Sequence, residues 1–287
     1  MKTTAIILLI LLAPAFFSCK SSNKNIEKKP SIDELWDYET AWGIKERMIV
    51  DPQFPRHNYD FKKLKYDEET QRFTYKNKNY KILHGIDISR HEKEIDWDKV
   101  CEDGIEFVVI RMAYRRYGKK GDLVLDENFR INLKNAREHK LPVGVYVFSQ
   151  AINEKEAKEE AQIIIDNIKP EELELPVFFD PESIRDDEAR SDPVSGEQFT
   201  KNAIVFCEKI KEAGFTPMIY ANMTWQNVYF DMGKLKDYQF WFADYEEIPQ
   251  TPYDFVFWQY TAYGKVNGIS TFVDRDIMFV PVIDNGK

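Results

Sequence analysis

Long apolar runs are scarce in this chain. The longest, Ala5 to Phe17, has 13 residues and contains Pro14. A bilayer-crossing helix needs about 20, so this run is too short to span. Behind the basic start Met1-Lys2 it has the form of a secretory signal. Positive charge is also in deficit: 40 Lys and Arg face 49 Asp and Glu, for a net charge of −9. Binding a phosphate backbone calls for the opposite sign, so no nucleic-acid partner is expected. There is no G-x-S-x-G elbow and no Gly-rich phosphate loop, which removes the usual signatures of serine hydrolases and nucleotide enzymes. The four histidines, His57, His84, His91 and His139, show no H-E-x-x-H or other paired ligand spacing. His139 falls at a helix end, where a dipole or surface role is expected. His84 and His91 flank the end of a strand and could touch a ligand. No cofactor is implied. No internal repeat is evident.

Only three cysteines occur. The first, Cys19, follows Phe16-Phe17-Ser18 at the end of the apolar run. This arrangement resembles a bacterial lipoprotein signal. The resemblance implies cleavage before Cys19, acylation of its thiol, and a monomer anchored to a membrane, the outer one, of the cell envelope. A plain secretory signal with an incidental Cys is the alternative. Loss of residues 1–18 removes Lys2 alone among charged residues, so the net charge becomes −10. Cys101 and Cys207 fall on predicted helices. Two buried thiols and a disulfide both remain open.

Residues 19–33 are polar and Lys-rich and read as a tether. Residues 34–80 form an N-terminal extension. Trp36, Tyr38, Trp42 and Phe54 argue for order there, and KKLKYDEETQRFTYKNKNYKI predicts a hairpin. From residue 81 to 287 the pattern is that of one catalytic domain. Apolar strand candidates recur at 82–88, 105–112, 142–148, 175–180, 216–221, 239–245 and 255–261. Helical spacing appears at 154–168 and 197–213, with Gly214 as a stop, and around Phe129, Leu133 and Ala136. Apolar strands alternating with amphipathic helices predict an α/β fold with a mainly parallel sheet. An irregular, TIM-barrel-like (β/α) barrel is expected, because the last two strands have no long helix between them. The aromatic content, 14% of the chain, fits a thick core or ring platforms for a ligand. Tyr114, Tyr117, Trp225 and Tyr263 could stack on sugar faces or simply pack.

In such barrels functional groups collect at the C-terminal ends of the strands. The stretch VFFDPES ends a strand in Asp180-Pro181-Glu182. With a side-chain period of two, Asp180 and Glu182 project to one side. Pro181 cannot donate to a ladder, so pairing should fade there. Two close carboxylates repel, which raises one pKa and keeps a proton for general-acid work. Exposed loop acids are the plain alternative for an isolated D-x-E. Asp87 ends the first strand, and Asp274 follows a β-branched run near the C-terminus. Arg111, Tyr146, Tyr220, Asp244, Tyr245 and Gln259 mark other strand ends. An all-carboxylate site could also hold a divalent metal.

HGIDISRHEKEIDWDKV, FVVIRMAY, LPVGVYVFSQA, LPVFFDPES, GFTPMIYAN, FWFADY, WQYT and VDRDIMF together resemble glycoside hydrolase family 25, the muramidase-type lysozymes, over roughly residues 81–284. The resemblance implies cleavage of the β-1,4 bond from N-acetylmuramic acid to N-acetylglucosamine in peptidoglycan glycan strands, with retention. It assigns Glu182 as proton donor and Asp180 as its companion, acting directly or by holding the substrate's acetamido group. Asp87 and Asp274 become the other active-site carboxylates. Tyr146, Arg111, Tyr220, Trp241 and Gln259 become groove positions. A silent peptidoglycan-binding relative and a metal-dependent hydrolase are the competing readings. Two departures stand out. Pro181 replaces the family's usual aliphatic residue, and Glu92-Lys93 stands where an Asn/Gln-Gly turn is common.

Overall fold

The computed structural model of the chain describes residues 34–40, 43–184 and 189–283. The segments expected to be a signal and a tether, Cys19 among them, and Trp42 lie outside the described residues. The N-terminal extension forms two hairpins. The first joins β1 (Leu35–Glu39) to β2 (Lys45–Ile49), and the second joins β3 (Leu64–Asp67) to β4 (Arg72–Tyr75). The second is the expected one. The first was not read from the sequence.

Eight strands then close into a barrel. They are β5 (Tyr80–Ile88), β6 (Phe107–Arg115) with a short partner β7 (Leu123–Leu125), β8 (Val143–Ser149), β9 (Val177–Pro181), β10 (Pro217–Asn222), β11 (Gln239–Ala243), β12 (Phe257–Gly264) and β13 (Val273–Pro281). From β5 through β12 neighbouring barrel strands are parallel. β13 is antiparallel to both β12 and β5 and forms the seam. The sequence reading treated VDRDIMF as a motif and gave it no strand; that segment lies in β13.

Helices α1 (Trp97–Glu102), α2 (Phe129–Glu138), α3 (Glu154–Ile165) and α4 (Gly196–Glu212) cover the first half of the barrel. The Asn153 side chain accepts from the Glu156 N–H to start α3, and Ser195 does the same for Gln198 in α4. The apolar stripe of α4 buries Phe199, Ala203, Phe206, Cys207 and Ile210, with Phe206 against Phe179 of β9 at 4.9 Å. Cys207 is a buried free thiol, and Cys101 is free and half-buried.

The second half of the barrel has no such helices. Only short helical turns separate β10 from β11, and no helix separates β11 from β12. The outward rings of those strands would face water, but the extension covers them. Phe54 packs edge-on to Phe240 at 5.5 Å, and Tyr59 stacks on Phe279 at 4.1 Å. Phe73 sits between Trp258 at 4.9 Å and Tyr260 at 5.2 Å. The extension thus replaces the missing helical layer.

The period of two sorts each strand into two environments. Phe107, Val109, Tyr146, Phe178, Met218, Trp241 and Phe257 form a separate core inside the barrel. Their rings meet edge to face, as in Phe178–Trp241 at 5.0 Å and Phe107–Phe257 at 5.5 Å. Gly85 makes room for this floor, because a Cβ there would lie 2.2 Å from the Phe107 ring. Phe73→Ala is expected to destabilise the fold by about 3 kcal/mol, since it opens a cavity in the outer layer. Urea unfolding against the wild type measures this.

Candidate active site

The aromatic floor fills the barrel interior, so the next inward positions of each strand lie at its mouth. Those positions are polar: Asp87 on β5, Arg111 on β6, Tyr146 on β8, Asp180 on β9, Tyr220 on β10 and Gln259 on β12. β13 runs the other way, so its beginning reaches the same rim, and Asp274 pairs directly with Asp87. The structure therefore gathers residues 87, 180 and 274, far apart in sequence, at one end of the barrel. Glu182 follows two residues beyond Asp180.

Pro181 lies at the limit of the sheet. β9 stays paired to β8 as far as Ser149↔Pro181, whereas its register with β10 stops at Phe179. The strand thus delivers Asp180 inside the barrel and releases Glu182 just past it. The carbonyl of Glu182 accepts from Gln150 Nε2 at 2.5 Å. Gln150 is buried, and its Oε1 accepts from Ser191 Oγ at 2.6 Å. Arg190 donates to the Gln150 carbonyl and pairs with Glu156 on α3. Both described sides of the β9–α4 connection are therefore anchored to the loop after β8. Nothing in the sequence pointed to Gln150, whose partners lie 32 and 41 residues away.

Each acid has its own surroundings. Burial, then the charge of Glu182, push the Asp180 carboxyl well above the usual range, and its buried Oδ1 has no hydrogen-bond partner among the described residues. Burial and the neighbouring charges of Glu92 and Glu182 raise Asp274 to about 7. Burial and the charges of Asp274 and Asp276 raise Asp87 as well. Gln259 Nε2 donates to Asp87 Oδ2 at 2.8 Å, while Gln259 Oε1 accepts the hydroxyls of Tyr220 and Tyr245 at 3.1 and 2.8 Å. Burial and the Asp87 charge raise the Tyr146 phenol, so it remains a donor.

Several expected roles change. Trp241 is buried at 1% exposure, and its Nε1 donates to Asp276 Oδ1 at 2.8 Å. It is floor beneath the acids rather than a groove wall. Arg111 is bound to Asp126 through Nε and Nη2, each 2.8 Å from Oδ2, and lies over the Tyr114 ring. Trp225 is core, edge-on to Phe199. Tyr117 and Tyr263 are exposed. His84 alternates outward from Asp87, beside Arg72 and Arg275; burial first and those charges next lower it to about 4. It does not reach the mouth. Glu92 is buried, and its carboxylate accepts the Ser89 N–H at 2.6 Å, closing a capping box. Lys93 then turns the chain at φ +58°, a region that favours glycine. The turn after the first motif survives its unusual residues through that cap.

Asp276 was not singled out beforehand. The signal was present in VDRD, since period two puts residues 274 and 276 on one face. Among the described residues no three His, Cys, Asp or Glu side chains form a set able to hold a metal ion.

A closed barrel whose mouth carries a D-x-E pair and further carboxyls has the architecture of a glycoside hydrolase. The sequence model of the glycosyl hydrolases family 25 matches residues 86–269, and the chain belongs to that family. It is 25% identical over 199 residues to the uncharacterized protein YegX of Escherichia coli K12, covering 68% of this chain and 69% of YegX. It is 26% identical to an autolytic lysozyme of Clostridium acetobutylicum, covering 68% of this chain and 55% of that protein. Its fold matches the modular autolysin LytC of Streptococcus pneumoniae, solved with a synthetic peptidoglycan ligand. That match has a TM-score of 0.61 and 22% identity, over 87% of this chain and 57% of that one. A family 25 glycosyl hydrolase of Bacillus anthracis matches with a TM-score of 0.57 and 21% identity, over 79% of this chain and 94% of that one. The chain therefore spans little more than half of the pneumococcal autolysin.

A raised carboxyl pKa carries a stability cost with a definite sign. Unfolded Asp274 releases its proton near pH 4, while the folded group holds it to about 7. The cost is absent below pH 4, grows between 4 and 7, and is complete above. Asp274→Asn is expected to raise Tm by several degrees at pH 8 and hardly at pH 4, read by calorimetry at both values.

Proposed function

We propose that the protein is a peptidoglycan muramidase that cleaves the β-1,4 bond between N-acetylmuramic acid and N-acetylglucosamine. Membership of family 25, the autolytic lysozyme among its relatives and the peptidoglycan-bound structural neighbour support that substrate. The observation that carries the reading is the Asp180–Glu182 pair at the barrel mouth. Burial and the Glu182 charge raise Asp180, so the two carboxyls disfavour ionising together, and in the proposed reaction the retained proton sits on Glu182 when substrate is bound. A glycosidase needs such a proton for the leaving oxygen.

In the proposed first step Glu182 gives its proton to the glycosidic oxygen as the bond from that oxygen to C1 breaks. The carbonyl oxygen of the substrate's own 2-acetamido group bonds to C1 from the opposite face. Asp180 accepts a hydrogen bond from the acetamido N–H as positive charge develops there; its unpartnered Oδ1 suits that role. In the second step water attacks C1, returns a proton to Glu182, and reopens the ring. Two inversions at C1 retain its configuration. Tyr146, Tyr220 and Gln259 line the same mouth, and Asp87 and Asp274 complete the acidic set. The protein is read as a monomer held to the cell envelope by lipid on Cys19, with no bound cofactor.

Mass spectrometry of digested peptidoglycan tests the chemistry. The wild type should release fragments with reducing muramic-acid ends, and EDTA should leave the rate unchanged. Glu182→Gln should lower the rate by about 100-fold or more while the melting curve stays native-like. An equally active Glu182→Gln would remove Glu182 from its role, and binding without release would favour a silent relative. For the anchor, radiolabelled palmitate should enter the wild type and not Cys19→Ser.

A further inference from the structure

Asp276 lies in the barrel interior at 1% exposure, one inward step below Asp274 on β13. Its partner across the seam is Gly85, which carries no side chain. The diagonal neighbour on β5 is Asp87. Asp276 Oδ1 accepts Trp241 Nε1 at 2.8 Å. Asp276 Oδ2 is buried and meets no N–H or O–H donor of another side chain or the backbone among the described residues. The Asp87 carboxyl, at the diagonal position on β5, is the group placed to bond this oxygen once one of the two acids carries a proton. Asp87 is itself held by Gln259, whose Nε2 donates to it while its Oε1 accepts the hydroxyls of Tyr220 and Tyr245.

An ionised carboxylate has acceptors only, so two carboxyls bond to each other only when one is protonated. We infer that Asp87 and Asp276 share one proton, and that Asp276 is a positioning residue that holds the Asp87 carboxyl in the barrel mouth. The surroundings favour keeping that proton. Asp274 on β13 and Asp180 on β9 face Asp87 as like charges, and the phenols of Tyr146 on β8 and Tyr220 on β10 share the interior. Arg111 on β6, the cation on this face, is bound to Asp126. Burial, against the bond from Trp241, raises Asp276 to about 8. The consequence for turnover rests on the muramidase reading; the shared proton does not.

Asp276→Asn separates the possibilities, because the amide can accept from Trp241 and donate to Asp87 in place of the proton. It is expected to lower kcat by no more than about 3-fold, whereas Asp276→Leu, which has no donor, should lower it about 30-fold with little change in KM. The alkaline limb of the pH profile should extend to higher pH in Asp276→Asn, since an amide cannot lose the proton that the pair loses. Infrared spectra at pH 7 give a readout free of turnover. The wild type should show the carbonyl stretch of protonated carboxyl groups, and Asp276→Asn should lose one group's share of it. An unchanged band, or an Asp276→Asn pH profile that superimposes on the wild type, would overturn the inference. A band that loses one group's share in Asp276→Asn, in a protein that releases no muropeptides, would uphold the shared proton and discard the muramidase reading.

Discussion

The register of β13 against β5, running from Asp274↔Asp87 to Pro281↔Tyr80, is the constraint on which the rest depends. It closes the barrel, and it decides which side of β13 faces inward. A slip of one residue would turn Asp274 and Asp276 outward and Arg275 inward. In the observed register Arg275 lies in the outer layer, where its Nη1 donates to the carbonyls of Thr70 and Gln71 and its guanidinium lies over Tyr260. The register is thus held from both faces, by a cation outside and carboxyls inside. The aromatic floor adds a limit on depth. With Phe107, Phe178, Trp241 and Phe257 filling the interior, the acids can gather only at the mouth.

Crowding carboxyls into that mouth is electrostatically costly. The structure offsets the cost with oriented neutral donors, Gln259 and Trp241, and burial shifts Asp180 and Asp276 toward their neutral forms. The cation nearest in role, Arg111, is held by Asp126 and so does not neutralise the set outright. The site remains acidic and short of counter-charge, the condition that the proposed proton donor would need.

Much of this was legible in the residues. Alternating apolar strands and amphipathic helices announced the barrel, because burial on both faces leaves a distinct pattern. Strand ends carried Asp87, Asp180 and Tyr146, because period two fixes facing from a few letters. β13 was harder. Its acids and Arg275 break the apolar run that marks a buried strand, so its strand character shows only once β5 is beside it. Gln150 and the first hairpin were missed for a related reason. Their partners are distant in sequence, and a side chain that hydrogen-bonds a remote backbone leaves no local period. The burial of Trp241 was not legible, because a tryptophan beside a sugar site and a tryptophan beneath it look alike in a string of letters.

The extension over the second half of the barrel has a consequence for the order of folding. Trp36 donates to the carbonyl of Gln250, 214 residues later, and Phe54, Tyr59 and Phe73 find their ring partners only in β11, β12 and β13. The extension, made before the barrel, is therefore expected to be among the last parts to find its place. Until the C-terminal strands exist, its aromatic rings have no surface to cover, and the barrel has no seam. Such non-local closure makes folding slow. It also ties the cover of the second half of the barrel to completion of its seam, so the two stand or fall together.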